Sequence, residues 1–340
     1  MQMVEHLYKY EGKFYPEAGG AIDGLTLTYH TSSGERGDRK VIWICHALTA
    51  NSDPGDWWST LVGPGKLIDT DKYYVVCVNM IGSCYGSTGP SSINPATGKP
   101  YFLDFPKVTV RDIARGLDMV RSALGIEKID LILGSSIGGF QAIEYSVMYP
   151  ERVANAVFMA TAARVSPWLT AFEESQRMAV EADPTFFEAK DLEGGITGMK
   201  CARSIALLSY RTGKGYDKTQ AEPGPDAIFP SRACSYQRYQ GEKLARRFDA
   251  YTYWYLSHSV DSENVGRGRG GVEAALGRIT AKTHVVAIDS DLIFPPEDMA
   301  PMAKALGVPL MMISSEFGHD GFLLETEQIS TILHPILNEL

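Results

Sequence analysis

Ser136 is the residue of this chain whose neighbours most resemble those of a reagent. It stands in LILGSSIGGF (131–140), with Gly134 two residues before it and Gly138 two residues after. A G-x-S-x-G run between an apolar strand and a helix is a nucleophile elbow, a turn too tight for side chains at the glycine positions that lifts the central hydroxyl clear. Centring the pattern on Ser135 would put Leu133 and Ile137 where glycines are needed, so Ser135 reads as a small residue tolerated in the turn. The alternative is a tight turn without chemistry. It is disfavoured by the apolar run before the motif and the helical spacing after it.

A hydroxyl is a poor nucleophile until a base takes its proton. The chain offers seven histidines: His6, His30, His46, His258, His284, His319 and His334. Around such elbows the partners follow in the order serine, acid, histidine. His319 lies in SSEFGHDGF after the last strand-like run, with Gly318 before it. His284 opens a strand-like run and His334 lies in a helix-like stretch, so both read as structural. The acid comes from VVAIDSDLIFPP, which holds Asp289 and Asp291. Asp291 is expected at the end of a strand over 283–291, before a loop stiffened by Pro295 and Pro296, and Asp289 is expected to be a turn residue. Asp291 would fix the imidazole tautomer and stabilise the imidazolium. An oxyanion needs two backbone N–H donors: Ile137, which follows the nucleophile, and Leu48 in HALT (46–49). His46 reads as structural.

These residues need a scaffold that brings them together. VIWICHALT (41–49), YYVVCVNMI (73–81), DLILGSS (130–136) and VANAVFMATAA (153–163) read as buried strands. VTVRDIARGLDMVRSALGI (108–126) and the stretch after Ser136 have helical spacing. Strand and helix in alternation indicate a mostly parallel sheet covered on both faces, an α/β fold. From about Ser166 to Gly277 the alternation stops, and it returns at THVVAIDSD (283–291) and PLMMISS (309–315). The expected organisation is a core of residues 1–165 and 278–340, with residues 166–277 inserted as a helical lid over the carboxyl ends of the strands. GRGRGG (266–271) reads as a flexible loop closing that insertion, with phosphate binding as the alternative.

Bulk properties narrow the function further. A chain of 340 residues with 44% hydrophobic and 21% charged residues is ordinarily globular. A net charge of −9 argues against nucleic acid as a partner. Five cysteines, an odd number without a CxxC pair, fit a reduced cytoplasmic protein with no metal site. No stretch has the length of a membrane span and the N-terminal residues lack an apolar leader, so no membrane partner is expected.

Longer motifs carry a resemblance to a family. HALTANSD (46–53), DWW (56–58), NMIGSCYGSTGPSSINPATGKPY (79–101), GSSIGGFQAIEYSVMYPERV (134–153), LSYRTG (208–213), RFDAYTY (247–253), GRGRGG, SDLIFPP (290–296) and GHDGFL (318–323) resemble, in order and over nearly the whole chain, the homoserine O-acetyltransferases. The resemblance implies an α/β-hydrolase fold with a helical lid, commonly as a homodimer. It also implies acyl transfer from acetyl-CoA, a co-substrate rather than a bound cofactor, to the side-chain hydroxyl of L-homoserine in methionine biosynthesis. Carried onto this chain, Ser136, Asp291 and His319 form the triad, while Arg211 and Asp320 match the family's homoserine-binding residues. An Arg suits a carboxylate and an Asp suits an ammonium; a lid salt bridge for Arg211 and a helix cap for Asp320 are the alternatives. The chain departs from the family's usual G-G-S-[MF]-G-G elbow at Ser135 and Ile137, and from its G-G-C at Ser83. Relatives on this scaffold use succinyl-CoA or L-serine, and some are esterases. These departures leave donor and acceptor open.

Overall fold

The computed structural model describes residues 3–226 and 228–340. Among them an eight-stranded sheet forms the centre, and we number its strands along the chain: β1 (Met3–Lys9), β2 (Thr26–Ser32), β3 (Val41–Cys45), β4 (Tyr74–Val78), β5 (Ile129–Ser135), β6 (Val153–Met159), β7 (Lys282–Ile288) and β8 (Leu310–Ile313). Their spatial order is β1-β2-β4-β3-β5-β6-β7-β8. β2 is antiparallel to both neighbours, and every pairing from β4 to β8 is parallel. The structure thus has the α/β architecture, with a mostly parallel sheet.

The central strands β3 (VIWIC) and β4 (YVVCV) are continuous apolar runs, buried at every position, because both faces of the sheet are covered there. Trp43, Val76, Ile132, Phe158 and Val285 fill one core, while Ile44, Val75, Leu133, Val157 and Val286 fill the other, as the two-residue alternation of a strand requires. Helix α1 (Val110–Ala123) starts at a capping box in which Thr109 accepts from the Asp112 N–H and Asp112 from the Thr109 N–H. It buries Ile113, Ala114, Leu117 and Val120, spaced at three and four residues. Helix α2 (Ile137–Met148) is buried at every position from Ile137 to Val147, as befits a helix wedged between sheet and neighbours.

Between β6 and β7 the described residues form helices, including α3 (Pro167–Glu181), α4 (Ile196–Tyr210), α5 (Arg232–Ala245) and α6 (Ala250–Asp261). α4 packs on α3 and α5, and α6 packs on α3. The last helices, α7 (Pro296–Ala305) and α8 (Thr326–Asn338), return to the core. Several bounds are tighter than the sequence suggests. β7 ends at Ile288, so Asp289 and not Asp291 directly follows the strand, and the expectation of a strand over 283–291 is corrected. The backbone there turns because Asp291 N–H bonds the Ile288 carbonyl at 3.2 Å. No helix among the described residues is long and apolar enough to cross a membrane.

Candidate active site

Every parallel strand points its carboxyl end to the same side, which is where an open α/β sheet holds its ligands. Ser136 follows β5 directly. Its φ of 59° and ψ of −132° are strained for an L-residue. The strain is held from three sides: Ser136 N–H donates to the Ala160 carbonyl at 3.0 Å, Thr161 Oγ1 donates to the Ser136 carbonyl at 2.9 Å, and α2 starts at once. The two glycines of the motif are there for space. A Cβ on Gly134 would lie 2.1 Å from the Gly138 carbonyl oxygen, and one on Gly138 would lie 2.2 Å from that of Cys45.

That close packing brings the loop after β3 beside the elbow. Gln141 of α2 donates to the His46 carbonyl at 3.1 Å. Leu48 and Ile137 both line the cavity that contains Ser136. Ile137 is the first helical residue, so its N–H has no acceptor within the helix. His46 anchors this loop from beneath, with Nδ1 on the Ala47 carbonyl at 2.9 Å and Nε2 accepting from Met80 N–H at 3.2 Å. Burial lowers its pKa to about 4, so it stays neutral and structural.

The acid and histidine meet directly. His319 Nδ1 lies 2.7 Å from Asp291 Oδ2, with both residues only 3% exposed. Asp291 Oδ1 accepts from the Ile293 and Phe294 N–H groups at 2.9 and 3.0 Å. A carboxylate offers only acceptors, so Nδ1 carries the proton and Nε2 is the basic nitrogen. Asp289 turns the other way, accepting from Ser314 Oγ at 2.7 Å and Ser315 N–H at 3.0 Å, which fastens the end of β7 to that of β8. The imidazole packs against Tyr210, Phe294 and Phe322, with ring centroids 5.7, 5.4 and 5.3 Å away. Tyr210 and Phe294 also line the Ser136 cavity, so they form the wall shared by serine and histidine.

Arg211 and Asp320 prove to be each other's partners. Arg211 Nε lies 2.7 Å from Asp320 Oδ2, yet the approach is poorly angled and leaves Nε without an aligned hydrogen-bond acceptor. Asp320 does sit at the cap position of the short helix Gly321–Leu324, but its side chain makes no cap bond. The pair is flanked by Tyr210 on one side and His319 on the other, and the two segments touch closely. Gly318, at φ 64°, would bring a Cβ to 2.9 Å from the Tyr210 carbonyl oxygen.

GRGRGG binds carboxylates of the chain itself. Arg267 forks onto Glu17 at 2.7 and 2.9 Å, and Arg269 reaches Glu144 of the elbow helix at 2.6 Å. Arg111 bridges both acids at 3.2 and 3.0 Å. The two arginines of GRGRGG are therefore committed to carboxylates of the chain. Two wall residues, Glu173 and Tyr210, were not singled out in the sequence. The neighbouring YRT motif was the available signal for Tyr210, whereas Glu173 lies in a stretch that reads only as a helix.

The protein-family model described as alpha/beta hydrolase fold matches residues 40–326. A homoserine O-acetyltransferase of Cyclobacterium marinum is 41% identical over 336 residues, covering 98% of this chain and 95% of the relative. The crystal structure of a homoserine O-acetyltransferase from Bacillus anthracis superposes with a TM-score of 0.89 at 24% identity, over 99% of this chain and 98% of that one. That of esterase E22 gives 0.86 at 25%, over 99% and 100%. With the elbow, the Asp291–His319 bond and this extent of identity, the chain belongs to the homoserine O-acetyltransferase family of the α/β-hydrolase fold.

Proposed function

We propose that the protein moves an acetyl group from acetyl-CoA to the side-chain hydroxyl of L-homoserine through an acetyl-Ser136 intermediate, supplying methionine biosynthesis. In the first half-reaction His319 Nε2 takes the proton of Ser136 as Oγ attacks the thioester carbonyl. The oxyanion lies between the N–H groups of Leu48 and Ile137. Collapse expels the CoA sulfur, which leaves as the thiol with the proton from His319. In the second, His319 takes the proton of the homoserine hydroxyl, which attacks the acetyl carbonyl, and Ser136 leaves with that proton. Asp291 holds the imidazole throughout.

The observation that carries the acceptor assignment is the Arg211–Asp320 pair beside His319. An amino acid carries the same two charges, so it replaces the pair charge for charge: its α-carboxylate takes Arg211 and its α-ammonium takes Asp320. The cavity at Ser136, about 20 Å³, has room for about one or two water-sized groups. Acetyl over succinyl is supported by the relatives, which are named homoserine O-acetyltransferases. The protein would act as a cytoplasmic homodimer, through apolar side chains exposed on the helical segment. Mixed acetyl- and succinyl-CoA with L-homoserine and L-serine, analysed by mass spectrometry, test the reading. O-acetylhomoserine as the main product is expected; a succinyl or serine product, or free acetate alone, would replace it.

A further inference from the structure

Glu173 is buried at 2% exposure on the inner side of α3, and it lines the same cavity as Ser136, Leu48 and Ile137. Its Oε2 has no hydrogen-bond partner. Of the two arginines near it, Arg177 is paired with other carboxylates, while Arg203 stacks on a ring with its Nε lacking an acceptor, and neither forms an ion pair with Glu173. Arg177, one turn along the same helix, lies 2.6 Å from Asp261 of α6 and 2.8 Å from Glu174, and Arg203 of α4 lies over the Tyr210 ring at 5.6 Å. The remaining polar groups facing it are Gln176 on its own helix, the Tyr210 phenol of α4 and, on α6, Tyr253 and Asp261. A buried carboxyl without a counter-ion keeps its proton. Here desolvation, assisted by Asp261 and opposed by Arg177, pushes the pKa up to about 8.

We propose that Glu173 is a further residue of the acyl-transfer reaction, a neutral carboxylic acid in the acyl cavity whose unpartnered oxygen binds the incoming acyl donor and whose ionisation halts acylation of Ser136. The inference rests on the reading that an acyl group passes through Ser136. Negative charge develops on the acyl oxygen in this same enclosed cavity, where a carboxylate would oppose it with little screening. The neutral acid opposes nothing and can give or accept a hydrogen bond, so proton loss, and not the side chain's shape, is the damaging event.

The test is the rate of Ser136 acylation across neutral to alkaline pH, read by rapid quenching and intact-protein mass spectrometry. Wild type and Glu173→Gln are each normalised to their own rate at neutral pH. The wild-type rate should fall about tenfold per pH unit above about 8, and the Glu173→Gln profile should lack that limb. Superimposable profiles would overturn the proposal. 4-Nitrophenyl acetate, which needs no coenzyme site, is run beside acetyl-CoA: failure of acetyl-CoA alone to label Ser136 counts against the donor, while the ester still reads Glu173. Infrared difference spectra give a second reading that does not depend on turnover. A protonated-carboxyl band present at neutral pH and missing in Glu173→Gln supports the assignment; identical spectra contradict it.

Discussion

In the proposed reaction Ser136, His319 and Asp291 share one reaction coordinate, and their losses should be distinguishable from those of their neighbours. Asp291→Asn reverses the hydrogen-bonding demand on Nδ1 and should lower kcat by about 10⁴, with circular dichroism unchanged. Asp289→Asn keeps a side chain able to face Ser314 and should cost far less; equal damage at equal stability would make Asp289 the acid. The sequence favours Asp291 through its place before the Pro295–Pro296 loop, but it does not show where the strand ends. Both acids lie within three residues, and the strand end is set by hydrogen bonds from Asp291 N–H to the Ile288 carbonyl and from Asp289 N–H to the Ile313 carbonyl of β8. Arg211 differs in kind from the triad. Arg211→Ala removes the carboxylate grip and leaves Asp320 unpaired, a loss of about 2–5 kcal/mol that should fall on homoserine dependence. Acylation of Ser136 should continue at its normal rate. Slow acylation with ordinary homoserine dependence would instead make Arg211 a lid fastener.

At the scale of elements, the loop after β3 depends on an uncharged His46. The unfolded chain binds a proton near pH 6.5 that the folded chain refuses until about pH 4. Folding stability supplied by neutral His46 is therefore full above pH 6.5 and is lost as pH falls through that window, on the order of 3 kcal/mol in all. Urea unfolding at a series of pH values should show this slope, and His46→Asn, which can still donate to Ala47 and accept from Met80, should flatten it. An unchanged slope would place the titration elsewhere. The elements that carry the site are legible because burial on both faces writes β3 to β5 and the carboxyl-terminal halves of β6 and β7 as apolar runs. β1 and β2 escaped notice. β1 has no fully buried position at the sheet edge, with Glu5, His6 and Lys9 along it, and its partner β2 mixes threonines with few aliphatics. Glu173 was illegible for another reason: a glutamate on a helix normally faces water, and only the packing of α4 and α6 turns this one inward.

The whole molecule is tied together by ions that the sequence presented as a loop motif. Glu17 from the N-terminal segment, Arg111 of α1, Glu144 of α2 and the two arginines of GRGRGG form one network behind the elbow helix. Arg269→Ala leaves Glu144 with Arg111 alone and should destabilise the fold by about 1.5–3 kcal/mol, the worth of a hydrogen bond to a charged group, measured as a lower urea midpoint. Assembly is the remaining property at this scale. Met178, Leu208 and Tyr239 project from three helices of the inserted segment and are more than half exposed, so light scattering should report a dimer that Leu208→Asp weakens. The central claim, covalent passage of an acetyl group through Ser136 to an amino acid, is tested most directly by intact-protein mass spectrometry of the two half-reactions. Acetyl-CoA alone should add one acetyl group to the wild-type chain at Ser136 and none to Ser136→Ala, and L-homoserine should then discharge it far faster than water does. No adduct on Ser136 during turnover, with intersecting double-reciprocal lines, would contradict it.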